Sequence, residues 1–291
     1  MTFELTKGEL RAVVRTKGGE LVSLKDGTGR EYIWEGDPAF WSGQNPILFP
    51  IVGTLREGKI ELRGQSCEMG RHGFARGMEF ALAEQGEDFI TLELRENADT
   101  LACYPYPFRL RVTHRLVEAG FTTTFTVSNP GDVPMPFCIG AHTAVRCPLE
   151  KGERFEDYEL VFDVQEEAAS HLLTPEGIIR HSQTEPMLTE SGRIPLNYDV
   201  FARLDTIIFS LLRSETATLR SHKTGRGLRL DFKEFPMVAF WTKPGAPFLC
   251  LEPWQGCAAW DNESGKFEDK PFCVVLQPGE QKELAYSILI E

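Results

Sequence analysis

The sequence predicts an all-β fold, a large antiparallel sandwich forming one domain over residues 1–291, and three observations carry that reading. Apolar and polar residues alternate with a period of two along much of the chain. Helical periodicity is scarce. Breakers such as Asn129-Pro130-Gly131-Asp132 and Pro278-Gly279-Glu280 recur, yet no stretch is long or polar enough to act as a linker. With 291 residues, 42% of them hydrophobic, the chain can bury a sizeable core, and no short-period repeat divides it.

Taken in order, Gly19–Leu24, a turn at Lys25–Gly29 and Glu31–Trp34 read as strand, turn and strand. Strands are also expected at Ile90–Leu94, Leu160–Val164, Thr206–Leu211, Leu228–Phe232, Met237–Trp241, Phe272–Leu276 and Leu284–Ile290. The firmest local pattern is a hairpin. Phe108, Leu110, Val112, His114 and Leu116 alternate with Arg109, Arg111, Thr113 and Arg115, Glu118-Ala119-Gly120 turns the chain, and Phe121, Thr123, Phe125 and Val127 alternate with Thr122, Thr124 and Thr126. Short helical turns are expected near Pro38–Trp41, Asp99–Cys103 and Asn197–Phe201. The run Phe248–Leu251 reads as a buried strand, and Pro253, which has no N–H to give, should end it or place it on an edge.

A net charge of −12 argues against a nucleic-acid or anionic-membrane partner. The longest strongly apolar stretch, Ile207–Leu212, is far too short to span a bilayer. Residues 1–7 lack a basic start followed by an apolar run, and seven cysteines without a C-x-x-C pair fit reduced thiols, so a cytoplasmic location is expected. P-loop, G-x-G-x-x-G and G-x-S-x-G signatures are absent, which removes the usual marks of nucleotide, dinucleotide and acyl-transfer chemistry.

Three segments hold polar residues in apolar company: Asn45–Gly53 with Arg71–Arg76, Cys138–Val145, and Phe248–Gly256. Alternation puts Glu252 on the face of Phe248 and Cys250, either as a surface acid at a strand end or as a partly desolvated carboxylate able to act as a base. His142, after Gly140-Ala141, is either a satisfied core histidine or an acid–base group. His72 is either a turn histidine with a depressed pKa or part of the same site. A metal held by these three is disfavoured, because they lie 70 and 110 positions apart with no local ligand pair.

The set Asn45-Pro46-Ile47-Leu48-Phe49-Pro50, His72-Gly73-Phe74-Ala75-Arg76, Gly140-Ala141-His142 and Leu251-Glu252-Pro253-Trp254 resembles the aldose 1-epimerase (galactose mutarotase) superfamily, in its LacX-like branch. The segments stand in family order over about residues 19–290. The resemblance implies a galactose mutarotase-like β-supersandwich, a small-molecule aldose as ligand, and no metal or organic cofactor. By motif, Glu252 corresponds to the general base, His142 to the general acid, and His72 to a second histidine that binds substrate and polarises its ring oxygen. Asn45, Phe74, Arg76, Asp205 and Trp254 are the expected substrate contacts, with plain packing the alternative for Phe74 and a solvent-facing strand end for Asp205.

Two departures bear on the substrate. LacX-like relatives commonly carry Gly-Arg-Leu where this chain reads Gly53-Thr54-Leu55, so if that arginine touches the sugar, either Arg56 or Arg76 replaces it or the specificity has changed. The related hexose-6-phosphate epimerases share the segment ending in Arg76, but a single arginine is thin support for phosphate, for which two converging cations are expected. A free hexose is therefore the first expectation. A phosphorylated hexose and a non-catalytic carbohydrate-binding protein are the alternatives. The sequence leaves the oligomeric state and the particular aldose open.

Overall fold

The computed structural model describes all 291 residues. Two antiparallel sheets carry most of the chain. The larger has nine strands, running in space 193–195, 158–162, 216–221, 227–231, 281–290, 120–128, 109–117, 89–95 and 81–85. The smaller runs 206–210, 237–241, 248–255, 139–141 and 47–48, with 143–146 also paired to 248–251. Residues 2–7, 10–15 and 20–25 form a separate three-stranded sheet.

One contiguous cluster of 70 buried residues fills the interior. Phe162 of the larger sheet meets Phe209 and Phe240 of the smaller edge to face, at ring separations of 5.9 and 6.3 Å. Such pairs suit the interior of a sandwich, where bulky rings interlock between layers. The hairpin 109–117/120–128 forms as its alternation requires, with Phe121 opposite Leu116 and Phe125 opposite Val112.

Two expectations need correction. Glu31–Trp34 is no strand: it makes isolated bridges, Lys25 to Glu31 and Ile33 to Val145, because Glu31 caps the backbone N–H groups of Leu24, Tyr32 and Ile33 and so turns the chain. Near Pro38–Trp41 the chain makes a single helical turn, the Trp41 N–H donating to the Asp37 carbonyl at 2.9 Å, and helices form at Ala98–Cys103 and Tyr198–Leu204, each capped by an asparagine. Pro253 neither ends its strand nor lies on an edge, since Phe248–Gln255 runs through it between two neighbours. Strand 143–146 pairs as far as Leu251, and pairing resumes only at Trp254 with Gly140. The gap falls opposite the residue that has no N–H to offer, so the ladder loses nothing there.

That gap positions the functional region. Leu249 and Leu251 face the main core, whereas Phe248 and Cys250 belong to a second apolar cluster with Trp34, Ala144 and Ala246. The strand is thus apolar on both faces, and its alternation carries Glu252 to the rim of the second cluster.

Candidate active site

A cavity of about 210 Å³ opens at this rim, and Glu252, His142 and His72 all line it. Glu252 is 1% exposed, and its Oε1 lies 3.4 Å from Nε2 of His142. Neither the other carboxylate oxygen nor Nδ1 of His142 has a hydrogen-bond partner. Buried polar atoms without full hydrogen bonding are costly in a folded chain, and these gather beside one cavity. The indole Nε1 of Trp254, which also lines the cavity, is a third.

His142 stands where strand 139–141 gives way to 143–146, opposite the gap at Glu252–Pro253. Its ring is tilted against Trp41 at 5.0 Å and meets the edge of Trp241 at 5.6 Å. This apolar enclosure fixes the ring and pushes its pKa down, to about 3, with the positive charges of Arg76 and Arg71 adding to the effect. Burial pushes the Glu252 carboxyl well above the usual carboxylate range, against the pull of the adjacent Trp254 indole N–H; the Asp205 charge adds to the rise and the Arg71 charge opposes it. Direct attraction at 3.4 Å opposes both shifts. Burial favours the neutral pair, in which the transferable proton rests on the carboxyl.

His72 is set by its backbone. It has φ of +68°, its N–H donates to the Gly53 carbonyl at 2.8 Å, and its Nδ1 accepts from the Gly53 N–H at 3.1 Å. A peptide N–H can only donate, so Nδ1 is unprotonated and the ring hydrogen sits on Nε2. Burial, with His142 and two arginines nearby, holds the ring's pKa well below the ordinary value. Gly73 makes the turn possible: its φ is +71°, and a Cβ there would lie 2.3 Å from the Phe49 carbonyl oxygen.

Of the other expected contacts, Arg76, Asp205 and Trp254 line the cavity. Asp205 caps the helix Tyr198–Leu204 with φ of +64°, and its carboxylate accepts from Trp241 Nε1 at 3.4 Å and Thr206 Oγ1 at 3.1 Å. Asn45 and Phe74 do not line it. Asn45 donates to the Leu21 carbonyl and accepts from Thr143 Oγ1 at 2.7 Å, which pins the segment beside His142. Phe74 packs against Phe49, Tyr104 and Phe108. Arg56 points elsewhere, donating to the carbonyls of Asp261 and Glu263.

Sequence reasoning missed Arg71, Trp41, Trp241 and Thr54, all of which line the cavity. Arg71 had a signal in its adjacency to His72. Trp41 and Trp241 had none, since nothing local says that a loop tryptophan and a strand-end tryptophan meet 5.3 Å apart over one histidine. As for a metal, His142, Cys250 and Glu252, rather than the two histidines with Glu252, bring ligand atoms within 4.8 Å of one another. Burial pushes the Cys250 thiol up, favouring the neutral form that binds metals poorly.

Residues 1–289 match the family model described as aldose 1-epimerase. The chromosomal LacX protein of Lactococcus lactis subsp. lactis is 40% identical over 298 residues, covering 100% of this chain and 99% of the relative. Among solved structures, a galactose mutarotase related enzyme from Lactobacillus acidophilus superposes with a TM-score of 0.93 at 27% identity, covering 100% of this chain and 97% of that one. A galactose mutarotase-like protein from Lactobacillus casei gives 0.93 at 28%, with full coverage of both chains. The mainly antiparallel β fold and the ordered segments thus agree with the matches, and the chain belongs to the aldose 1-epimerase family.

Proposed function

We propose that the protein interconverts the α and β anomers of an aldose by opening and reclosing the sugar ring, with Glu252 and His142 exchanging protons with it. The observation that carries this is the buried acid facing a buried histidine at 3.4 Å, both lining one cavity. Binding alone needs no such pair, whereas ring opening needs a proton removed from the C1 hydroxyl while another is delivered to the ring oxygen.

The carboxylate–imidazolium form differs from the neutral form by one proton moved across the pair. Sugar hydroxyls placed at Oε2 and Nδ1 supply the hydrogen bonds that stabilise the charged form once a substrate enters. Glu252 then takes the C1 hydroxyl proton, His142 protonates the ring oxygen, and the hemiacetal opens to the aldehyde. Rotation about C1–C2 presents the other carbonyl face, and the two groups reverse roles on closure. His72, with its hydrogen on Nε2, donates to a substrate oxygen without titrating. Trp254 and Asp205 hold the sugar, one by its ring and indole N–H, the other by its carboxylate.

Glu252→Gln tests this against a protein that merely binds carbohydrate. Enzyme-driven anomer exchange should fall by about 10²–10⁴-fold while sugar affinity changes far less. A substitution that changes affinity and exchange in the same proportion would support the binding protein instead.

A further inference from the structure

We infer that Trp41 is a positioning residue for the proton exchange: its indole face, braced by Trp241, holds the His142 ring beside Glu252 and stabilises the imidazolium which that ring must become. The inference rests on the epimerase reading for the need of an imidazolium and concerns what supports that charge on the side away from Glu252.

The Trp41 and His142 rings lie 5.0 Å apart and are inclined by only 33°, so they meet nearly face to face. Trp241 stands 5.6 Å from the same imidazole at 70°, and 5.3 Å from Trp41 at 76°. Both indoles are inside the roughly 6 Å over which an aromatic face attracts a cation, and tryptophan is the strongest side chain in this respect. An aliphatic wall would exclude water from His142 and only disfavour its charged form. An indole wall excludes the water but returns part of the lost stabilisation through its ring electrons.

The other groups facing the ring give little support. Glu252 at 3.4 Å is the one favourable charge. Arg71 and Arg76 oppose an imidazolium, and His72, at a ring separation of 5.5 Å, and the Cys250 thiol are held neutral by burial.

Trp41 is itself seated from outside the cavity. Its carbonyl accepts from Trp34 Nε1 at 2.8 Å, and the Phe40 carbonyl beside it accepts from Lys243 Nζ at 2.8 Å. Its ring packs on Phe248 at 5.7 Å, and Gly43 leaves room for it, since a Cβ there would fall 2.3 Å from Trp41 Cζ2. The loop contacts are made by the backbone, so a substitution at Trp41 leaves them in place.

The test measures anomer exchange as kcat and KM in the wild type, Trp41→Phe and Trp41→Leu, with carbon–proton correlation spectra of the His142 ring. Trp41→Leu keeps an apolar wall without ring electrons and should lower kcat about tenfold while KM moves less than about twofold; Trp41→Phe should recover most of the loss. The His142 ring resonances, displaced upfield by the indole in the wild type, should return toward ordinary positions in Trp41→Leu. A raised KM with unchanged kcat would make Trp41 a surface for the sugar, and equal losses in Phe and Leu would reduce it to shape; either result overturns the inference. So does a kcat, or a set of His142 ring shifts, unmoved in Trp41→Leu. Exchange absent from the wild type overturns the epimerase reading and with it the purpose given to Trp41, whereas exchange equal in wild type and Trp41→Leu overturns the Trp41 inference alone.

Discussion

At the scale of single residues, the candidate site sets a buried carboxyl 3.4 Å from a buried imidazole, beside a second histidine whose tautomer is fixed by Gly53. His142→Asn should lower anomer exchange by about 10²–10⁴-fold, with sugar affinity largely kept, as measured by saturation transfer and titration. His72 should remain neutral at pH 6 with its hydrogen on Nε2, visible as an unprotonated Nδ1 in ¹⁵N correlation spectra; a cationic ring at that pH would contradict the Gly53 contact. Glu252, His142 and His72, which line one cavity, stand out in the sequence because each sits in a short segment of polar residues among apolar ones. Asn45, expected as a contact for the same reason, stands outside the cavity lining, and its hydrogen bonds to Leu21 and Thr143 account for a buried polar residue there. Arg71 was hidden because a surface arginine in a loop resembles any other until its Nε is seen to donate to Thr54 Oγ1 at 2.9 Å beside the cavity.

At the scale of elements, the chemistry depends on breaks in regular structure. The gap opposite Pro253 lets His142 reach Glu252, and the left-handed turn at His72-Gly73 docks the 71–76 loop on Phe49 and Gly53. Gly73→Ala should therefore cost about 1–2 kcal/mol or more in urea unfolding and reduce exchange, since the methyl group would collide with the Phe49 carbonyl and displace His72. Unchanged stability and exchange would show that the loop adapts. Period-two patterning located most central strands to within a few residues, Met237–Trp241 with both ends correct. It failed at Glu31–Trp34, where one carboxylate outcompetes the ladder for backbone N–H groups, and at Pro253, where the missing donor coincides with a missing partner. Neither outcome is written in local alternation, because both depend on what the neighbouring strand does.

At the scale of the whole molecule, sheets from distant parts of the chain enclose histidines that resist protonation. His114 lies between Thr123 Oγ1 and the Gly19 carbonyl, at 2.9 and 2.8 Å, and burial holds its pKa at about 4. A folded-state pKa below the unfolded value means that the unfolded chain binds the extra proton first, so this contribution to stability is lost as pH falls below about 6.5. Glu252 and Glu20, both raised by burial, act in the opposite direction above the ordinary carboxylate pKa. The clean reading is therefore a difference. Between pH 7 and pH 5 the wild-type protein should lose about 2 kcal/mol more stability than His114→Gln, by urea unfolding at each pH. Parallel pH dependences would show that His114 titrates alike folded and unfolded.

The measurement that bears most directly on the central claim is NMR saturation transfer between the C1 protons of the two anomers, with and without protein, across galactose, glucose and their 6-phosphates. The epimerase reading predicts exchange on at least one sugar well above the uncatalysed rate, abolished in Glu252→Gln. Binding shifts on a sugar with no acceleration on any would contradict it and make the protein a carbohydrate binder on an epimerase fold.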